Sequence, residues 1–332
     1  MVNLKGRNLI TCQEWSLEEI EFTLEFAKEL KRKYYAGEPH KYLDGKTFFM
    51  IFFATSTRTR NSFEAAMTQL GGHAHFIMPE TMRLAEGESI KDTVKVLSRY
   101  GHGIGIRILG KAVDFKYGEG NRIVREFAKY ADIPVINMED DMFHPCQGLA
   151  DMLTIKEKIP KYSGKKVAIM WAYSPRALRV QAPIIEDMLL YTRYGLDVTI
   201  AHPPGFEIDP KMIELAKENA KESGAHVEIT HDPKEAFEGA HIAFARNWTT
   251  LKVGEIGIKA ELELHKKFKD WKCTMELMDL CAKNKIFMHC LPADRGYEVD
   301  DDVMDSNFSV IYDQAENRLH VQKAVLTLTM RG

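Results

Sequence analysis

Short apolar segments alternate along this chain with stretches of helical periodicity, and this alternation restricts the possible folds more than any other feature. The segment 47–53 is a continuous, aromatic-rich apolar run, which suits a strand buried on both faces. Within 63–70, apolar residues recur at positions i, i+3, i+4 and i+7, and two glycines follow, as in an amphipathic helix that ends at Gly71. Strands that alternate with helices in this way predict parallel sheets covered by helices on both faces.

The same alternation continues to the C-terminus and gives a full set of predicted elements. In the first half we predict a helix at 16–35 opened by a Ser16–Glu19 capping box, strands at 47–53, 74–78, 103–108 and 133–137, and helices near 89–100, 121–131 and 147–158. In the second half we predict strands at 167–171, 197–201, 227–230, 242–245 and 286–289, and helices at 181–194, 210–223, 233–239 and 315–329. The Lys- and Glu-rich segment 249–270 is expected to form an exposed insertion.

The length of the chain favours two domains, because 332 residues exceed what a single hydrophobic core usually supports. The segment 161–166 is predicted to join them. We assign residues 1–150 and the C-terminal helix 315–332 to the first domain, and residues 151–314 to the second. Both are predicted to be doubly wound α/β domains.

Composition excludes several classes of partner. The formal net charge of −3 disfavours a nucleic-acid or anionic-membrane surface as the main partner. No apolar run approaches the ~18 residues that a membrane span needs, and the N-terminus lacks the apolar region of a signal peptide. The five cysteines are scattered and lack metal-site spacing, so no metal is expected and a reducing, cytoplasmic setting fits best.

A hydroxyl- and arginine-rich loop follows the first predicted strand. It consists of Ser56, Thr57, Arg58, Thr59 and Arg60. The loop precedes a helix, whose first N–H groups and positive dipole end attract anions. Hydroxyl and guanidinium groups add further donors, so the loop is predicted to hold a phosphate, although it lacks the glycines and lysine of a Walker A loop. The alternative is a capped helix with two solvated arginines.

Three more polar clusters follow predicted strands. Residues 140–147 contain His144 and Gln147, residues 289–295 contain Cys290, and residues 245–248 contain Arg246. Taken singly, these are an ordinary turn histidine, a small buried thiol and a loop. Because ligands bind beyond the carboxyl ends of parallel strands, their presence together with the phosphate loop predicts an active site.

At this point the residues match a known family. The segments 56–60, 144–147 and 289–292 resemble the three signature motifs of the aspartate/ornithine transcarbamylases, in the same order and spacing. The segments 87–93, 105–107 and 315–323 resemble further motifs of that family, so that the resemblance covers nearly the whole chain. Within the family, 135–139 and 171–178 resemble the knotted branch that includes N-acetylornithine carbamoyltransferase and its orphan catabolic relatives, which implies a knot loop in the second domain.

The resemblance implies transfer of a carbamoyl group from carbamoyl phosphate to a small amine, without a metal or organic cofactor. The implied carbamoyl-phosphate residues are Ser56, Thr57, Arg58, Thr59, Arg107, His144, Gln147, Cys290, Leu291 and Arg318. The implied catalytic residues among them are Thr59, Arg107, His144, Gln147 and Arg318. Four of these, all but Gln147, are candidate donors to the oxyanion, and Gln147 would accept from the carbamoyl NH2 group.

The amine is expected to contact five other residues: Glu139, Arg246, Trp248, Asp294 and Arg295. Arg246 could pair with a substrate carboxylate, whereas Asp294 would repel one unless Arg295 or Arg246 neutralises it. We therefore expect an amine other than plain N-acetylornithine, such as an acylated or ureido-bearing amino acid or a diamine. The alternative is that Asp294 only pairs with Arg295 or Arg246.

The resemblance also implies an assembly. The loop with Glu86, Glu88 and Ser89 is similar to one that reaches into a neighbouring subunit, so a homotrimer with shared sites is expected. Three alternatives remain: plain ornithine carbamoyltransferase, a non-catalytic regulatory protein that binds anions on the same scaffold, and an NAD-type dehydrogenase. The last is disfavoured because no Gly-x-Gly-x-x-Gly motif follows an early strand.

Overall fold

The computed structural model describes residues 2–176 and 178–331, and the chain divides into two compact units. Unit 1 comprises Met1–Asp114, Gly118–Ala150 and Ala315–Gly332, and unit 2 comprises Phe115–Tyr117 and Asp151–Gln314. Met1, Ala177, Gly332 and the side chain of Ala85 lie outside the described residues. Because Ala177 falls in the predicted knot loop, that loop is described only on either side of it.

Unit 1 contains a four-stranded parallel sheet with the strand order β2-β1-β3-β4. The strands are β1 (Thr47–Phe52), β2 (His73–Ile77), β3 (Gly103–Arg107) and β4 (Val135–Glu139). The helices before the unit boundary are α1 (Leu17–Tyr35), α2 (Thr57–Gln69), α3 (Ile90–Tyr100), α4 (Glu119–Tyr130) and α5 (Pro145–Lys158), with 3-10 turns at Cys12–Glu14, Pro79–Thr81, Arg83–Glu86 and Gly110–Val113. The boundary between the units falls within α5.

Unit 2 contains a five-stranded parallel sheet with the strand order β7-β6-β5-β8-β9. The strands are β5 (Lys166–Trp171), β6 (Asp197–Ala201), β7 (Val227–Thr230), β8 (Ile242–Arg246) and β9 (Ile286–Met288). The helices are α6 (Ala182–Arg193), α7 (Pro210–Ser223), α8 (Pro233–Phe237), α9 (Val253–Ile256), α10 (Ile258–His265), α11 (Met275–Asp279), α12 (Asp301–Met304) and α13 (Ile311–Met330), with a 3-10 turn at Lys266–Phe268. From Ala315 onward, α13 belongs to unit 1. The predicted parallel α/β architecture is thus confirmed in both units.

The central strands are buried because each pairs on both edges and helices cover both faces of its sheet. In unit 1, Phe48 of β1 stacks on Phe63 of α2, with 5.5 Å between the ring centroids. Next to it, Gly105 lets β3 approach, because a Cβ atom at this position would lie 2.8 Å from the Phe48 ring and 2.7 Å from Met138 Sδ. This close packing fixes the end of β3, where Arg107 lies.

Three differences between the predicted and observed elements affect how polar residues are placed. Strand β4 spans Val135–Glu139 rather than 133–137, so Glu139 ends the strand. Helix α13 begins at Ile311, four residues before the predicted start. The segment 249–270 is predicted to be exposed, but part of it is buried. Glu261 is buried and accepts from Thr250 Oγ1 at 2.7 Å. Polar residues that pair with each other in the interior look like surface residues in the sequence.

Within the described part of the chain, we find no helix that is both long enough and apolar enough to cross a membrane.

Candidate active site

The phosphate loop predicted from the sequence forms the N-terminus of α2. Ser56 is the N-cap, and its hydroxyl accepts a hydrogen bond from the Thr59 backbone N–H at 3.2 Å. Arg60 is drawn along the helix, where it pairs with Glu64 at 2.9 Å and covers the Phe76 ring at 3.7 Å. Part of the loop therefore serves the helix itself, since Ser56 caps α2 and Arg60 has partners within the protein.

A second group of site residues lies at the carboxyl ends of β3 and β4. Arg107 ends β3 and forms an ion pair with Glu139, which ends β4. The same carboxylate lies 3.4 Å from His144 Nε2. Glu139 and His144 are buried and the Arg107 side chain is 11% exposed, and within the described residues Arg107 Nε is a buried donor without a hydrogen-bond partner. A buried orphan donor costs free energy unless a ligand satisfies it.

Glu139 is one of the five residues expected to contact the amine, but it belongs to unit 1, while the other four lie in unit 2. Its carboxylate faces Arg107 and His144. Such a carboxylate fixes the orientation of the guanidinium and imidazole groups, and we assign it this role.

Asp140, which the sequence did not single out, shapes the turn that delivers His144. Its carboxylate accepts from the Met142 and Phe143 N–H groups at 2.7 and 2.6 Å and from Asn137 Nδ2 at 2.9 Å. Burial and the neighbouring Asp141 raise the pKa of Asp140 to about 8, although the hydrogen bonds from Asn121, Phe143 and Met142 lower it. An acidic residue four positions before the histidine, in a predicted turn, was the only signal available.

Side chains from three separate motifs of unit 1 meet at Arg318, which belongs to one of them. Its Nη1 donates to Gln147 Oε1 at 2.6 Å, and its Nη2 donates to Thr59 Oγ1 at 3.0 Å. All three side chains are buried. Unit 1 therefore presents hydroxyl, amide and guanidinium groups, held by α2, α5 and α13, at one buried position, as expected for a preorganised polar site.

The loop predicted to reach a neighbouring subunit is exposed in the single chain. Ser89 caps α3 by accepting from the Asp92 N–H at 3.1 Å, and Glu88 accepts from Thr93 Oγ1 at 2.6 Å. Glu86 pairs with Arg83. These contacts fix the loop at the start of α3, and its polar residues point into solvent.

In unit 2 the His-Cys-Leu-Pro segment follows β9. His289 is buried and stacks on Phe244, and its Nδ1 accepts from the Leu291 N–H at 2.8 Å. Leu291 has a φ of 53°, in the left-handed region, and the Leu291–Pro292 peptide bond is cis. Cys290 is buried. A non-glycine residue in this region is unusual and often marks a functional loop.

Arg246 and Trp248 follow β8 and differ in what they can offer a substrate. Trp248 is fully buried, and its indole N–H donates to the Phe206 carbonyl at 2.9 Å, so we assign this side chain to the packing beneath the loop. Arg246 donates to the Val180 carbonyl at 3.3 Å, and within the described residues it forms no ion pair.

Asp294 and Arg295 have other partners than expected. Asp294 accepts from the Ser174 hydroxyl and from Arg176 Nη2 at 3.1 Å, and it lies 3.7 Å from Arg179 Nη2. Arg295 pairs instead with Asp301 and Asp305 on the surface, at 2.8 and 2.7 Å. The expected repulsion of a substrate carboxylate by Asp294 is therefore compensated, but by Arg176 and Arg179.

Glu298 is a further residue that the sequence reasoning missed. Its fully buried carboxylate pairs with Arg179 and accepts from the N–H groups of Asn247 and Asp294. Burial raises the pKa of Glu298, and the opposing contacts with His289 and Arg179 lower it to about 2. A single glutamate in a Gly-Tyr-Glu-Val segment gives no sequence signal for such a role.

Comparison with known proteins identifies two family domains, one in each half of the chain. Residues 7–157 match the family model described as aspartate/ornithine carbamoyltransferase, carbamoyl-P binding domain, and residues 163–329 match the model of its Asp/Orn binding domain. The chain is 43% identical to an ornithine carbamoyltransferase of Pyrococcus abyssi, over 100% of this chain and 98% of the relative.

Two solved structures have the same fold. The ornithine carbamoyltransferase of Pyrococcus furiosus shares 42% identity and a TM-score of 0.88, covering 100% of this chain and 99% of that one. An acetylornithine transcarbamylase complexed with acetylcitrulline shares 33% identity and a TM-score of 0.89, covering 98% and 99%. The two family models together span most of the sequence, and this chain belongs to the aspartate/ornithine carbamoyltransferase family.

Proposed function

We propose that the protein transfers the carbamoyl group of carbamoyl phosphate to the amine of an amino acid and releases phosphate. The convergence of Arg318, Gln147 and Thr59 carries this proposal. Three segments that the sequence separates widely bring their side chains within hydrogen-bond distance, and together they offer donors and acceptors of the kind that a carbamoyl group needs. A capped helix or a surface salt bridge would not require this convergence.

In the proposed reaction a neutral amine attacks the carbonyl carbon of carbamoyl phosphate. A C–N bond forms, negative charge gathers on the carbonyl oxygen, and the C–O bond to phosphate then breaks with its electron pair leaving on phosphate. The amine loses one proton in the process. Thr59, Arg107, His144 and Arg318 are the proposed donors to the oxyanion, since preorganised donors usually make the largest contribution to catalysis.

The phosphate group is assigned to the N-terminus of α2. Ser56, Thr57, Arg58 and Thr59 supply N–H, hydroxyl and guanidinium donors there, next to the positive end of the helix dipole. Gln147 is proposed to accept from the carbamoyl NH2 group. No step in this scheme calls for a covalent nucleophile, so Cys290 is assigned a positioning role.

The acceptor is proposed to carry a carboxylate, because Arg246 needs a counter-charge. Its side chain is buried at the end of β8, and the nearby carboxylates Asp294 and Glu298 are matched by Arg176 and Arg179. An uncompensated buried cation is costly, and an α-carboxylate of an amino acid would relieve that cost. Ornithine is the first acceptor to test, since it is the substrate named for the relatives described above.

We further propose a homotrimer in which the loop with Glu86, Glu88 and Ser89 completes a neighbouring subunit's site. Exposed apolar side chains near this loop support an interface. Val96 and Tyr100 lie on one face of α3 and are 46% and 70% exposed, and Met78, which follows the edge strand β2, is 41% exposed.

We also propose a cytoplasmic location, which the five buried thiols and their lack of metal-type spacing support.

The function is tested by incubating the protein with carbamoyl phosphate and a panel of amines. The panel contains ornithine, N-acetylornithine, N-succinylornithine, lysine and putrescine, and both phosphate and the carbamoylated product are measured. We expect one carboxylate-bearing amine to stand out. Product formation with none of the amines, by folded protein that still binds carbamoyl phosphate, would favour a non-catalytic binding protein instead.

Arg246→Met refines the same experiment. It should raise the KM of a carboxylate-bearing acceptor on the order of 100-fold, since it removes a charge-assisted contact, while the Kd of carbamoyl phosphate stays within about threefold. Putrescine, which has no carboxylate, serves as the control. If the best acceptor keeps its KM in this variant, Arg246 does not bind a carboxylate.

A further inference from the structure

We infer that Glu298 is a positioning residue for the site of the acceptor amine. Its single carboxylate connects three loops of unit 2 to one another. The inference rests on the proposed function and adds a residue that binds no substrate itself. The loops follow β5, β8 and β9. Those after β8 and β9 carry proposed amine-site residues and the His-Cys-Leu-Pro segment, and the loop after β5 carries Arg179 and Val180, whose carbonyl accepts from Arg246. Their relative placement decides where an acceptor amine can sit.

The two oxygens of Glu298 receive donors from all three loops. Oε1 accepts from the Asn247 N–H at 2.7 Å and from Arg179 Nη1, and it lies 3.9 Å from His289 Nε2. Oε2 accepts from the Asp294 N–H at 2.6 Å. The carboxylate is wholly buried, so protein donors rather than solvent must satisfy it.

Each of these donors belongs to a segment that the proposed function uses. Asn247 directly follows Arg246, the proposed carboxylate ligand. Asp294 follows Cys290 and Leu291 in one loop, and Arg179 precedes Val180, whose carbonyl accepts from Arg246 at 3.3 Å. A change at Glu298 therefore reaches Arg246 by two routes, through the backbone at Asn247 and through Arg179 and its neighbour Val180.

The charge of Glu298, and not only its shape, is required. All contacts within hydrogen-bond distance are donated to it, two by backbone N–H groups and one by a guanidinium. Charge-assisted hydrogen bonds of this kind are stronger than neutral ones. In Glu298→Gln the amide NH2 must face one of these donors, so at least one loop loses its anchor although the side chain keeps its size.

We test the inference with Glu298→Gln in steady-state kinetics. The kcat/KM for the amine should fall on the order of 100-fold through misplacement of the acceptor. The Kd of carbamoyl phosphate should change far less, by about tenfold at most, because its phosphate group is assigned to the N-terminus of α2 in unit 1, although Cys290 and Leu291 share a loop with Asp294. Glu298→Asp keeps the charge but is one methylene shorter, and it should recover part of the loss. An unchanged amine KM and kcat in Glu298→Gln would overturn the inference.

A matched control separates positioning from general destabilisation. Ile200→Ala removes a buried side chain of β6 in unit 2 and should lower stability without changing the amine KM. If this variant shows the same amine defect as Glu298→Gln, Glu298 has a structural role only.

Hydrogen exchange tests the same contacts without any substrate. In Glu298→Gln the amide protons of Asn247 and Asp294 should exchange faster, while exchange in β5 and β6 stays unchanged. This result would support the anchoring role even if the wild type transferred carbamoyl groups to none of the amines, in which case the proposed function alone would fail. Unchanged protection of both amides would overturn the inference whatever the kinetics.

Discussion

Arg318 and Gln147 lie 171 positions apart in the sequence, and their side chains meet at 2.6 Å. The second guanidinium nitrogen of the same arginine reaches Thr59. Arg318 thus uses its planar fork to hold a hydroxyl from α2 and an amide from α5 in fixed positions, which a lysine could not do. Substitutions at these three positions should therefore be strongly non-additive, because each removes part of one constellation.

The first prediction compares two arginines of α2. Arg58→Ala should lower kcat/KM for carbamoyl phosphate, because it removes a charge-assisted phosphate contact. The expected loss of transition-state stabilisation is about 2–4 kcal/mol. Arg60→Ala is the control, because Arg60 is occupied by Glu64 and the Phe76 ring. It should stay within about threefold of the wild type. Equal effects of the two substitutions, measured by initial rates over a carbamoyl-phosphate series, would remove Arg58 from the phosphate site.

The second prediction concerns His144. His144, whose Nε2 lies 3.4 Å from Glu139, is a proposed oxyanion donor and should therefore act mainly on kcat. His144→Asn is expected to reduce kcat on the order of 100-fold and to change carbamoyl-phosphate binding far less. His226→Asn, at an exposed histidine of unit 2, should leave both unchanged. Near-normal turnover of His144→Asn would make this histidine a structural turn residue.

The third prediction tests shared sites. Arg58→Ala and Glu88→Gln are each expected to inactivate their own trimer, and Glu88→Gln can still accept from Thr93. Refolding the two together should restore roughly a quarter of wild-type activity at most, since each mixed trimer regains one intact site out of three. Hybrid trimers verified by mass spectrometry but without activity would contradict shared sites, as would a fully active monomer in light scattering.

The sequence predicted most of the architecture because the strand and helix patterns here are locally unambiguous. It also placed the polar clusters correctly at the ends of strands, since parallel strands end at a common edge. It could not predict which charges pair. Arg295 is the nearest arginine to Asp294 in the sequence, yet Asp294 pairs with Arg176, 118 positions away. Such pairing depends on the path of the loops and not on local spacing.

The sequence also could not predict the environments of Trp248 and Glu298. A tryptophan after a strand fits either a binding loop or the core, and burial places it in the core. A lone glutamate near the end of a loop looks like a surface residue, yet it is buried among three loops. Only tertiary contacts distinguish these cases.

The fourth prediction follows from the ion pairs of Asp294. Asp294→Asn leaves Arg176 and Arg179 without one of their carboxylates, and it should lower the free energy of unfolding by about 1–3 kcal/mol. We expect no change in the ranking of the amines. Arg295→Ala breaks surface pairs only and should cost less than about 1 kcal/mol. A switch of the preferred amine in Asp294→Asn, measured with the same panel, would return Asp294 to the substrate site.

The last prediction uses a buried lysine of α13. Lys323 donates to Gln69 Oε1 at 3.0 Å and lies 3.3 Å from His40 Nε2. Burial lowers the pKa of Lys323 to about 8, although Glu316 raises it. The ordinary lysine pKa is about 10.5, so between these values the unfolded chain holds a proton that the folded chain has lost. Folding is then favoured as the pH rises through this window.

Lys323→Met isolates this contribution, because groups common to both proteins cancel in the difference. The free energy of unfolding of the wild type minus that of Lys323→Met should increase by about 1–2 kcal/mol between pH 8 and 9.5, and it should be flat below about pH 7. Denaturant unfolding at a fixed protein concentration measures both curves. A difference that stays constant or falls across this window would show that Lys323 keeps its proton in the folded protein, and that its contacts with Gln69 and His40 compensate for burial.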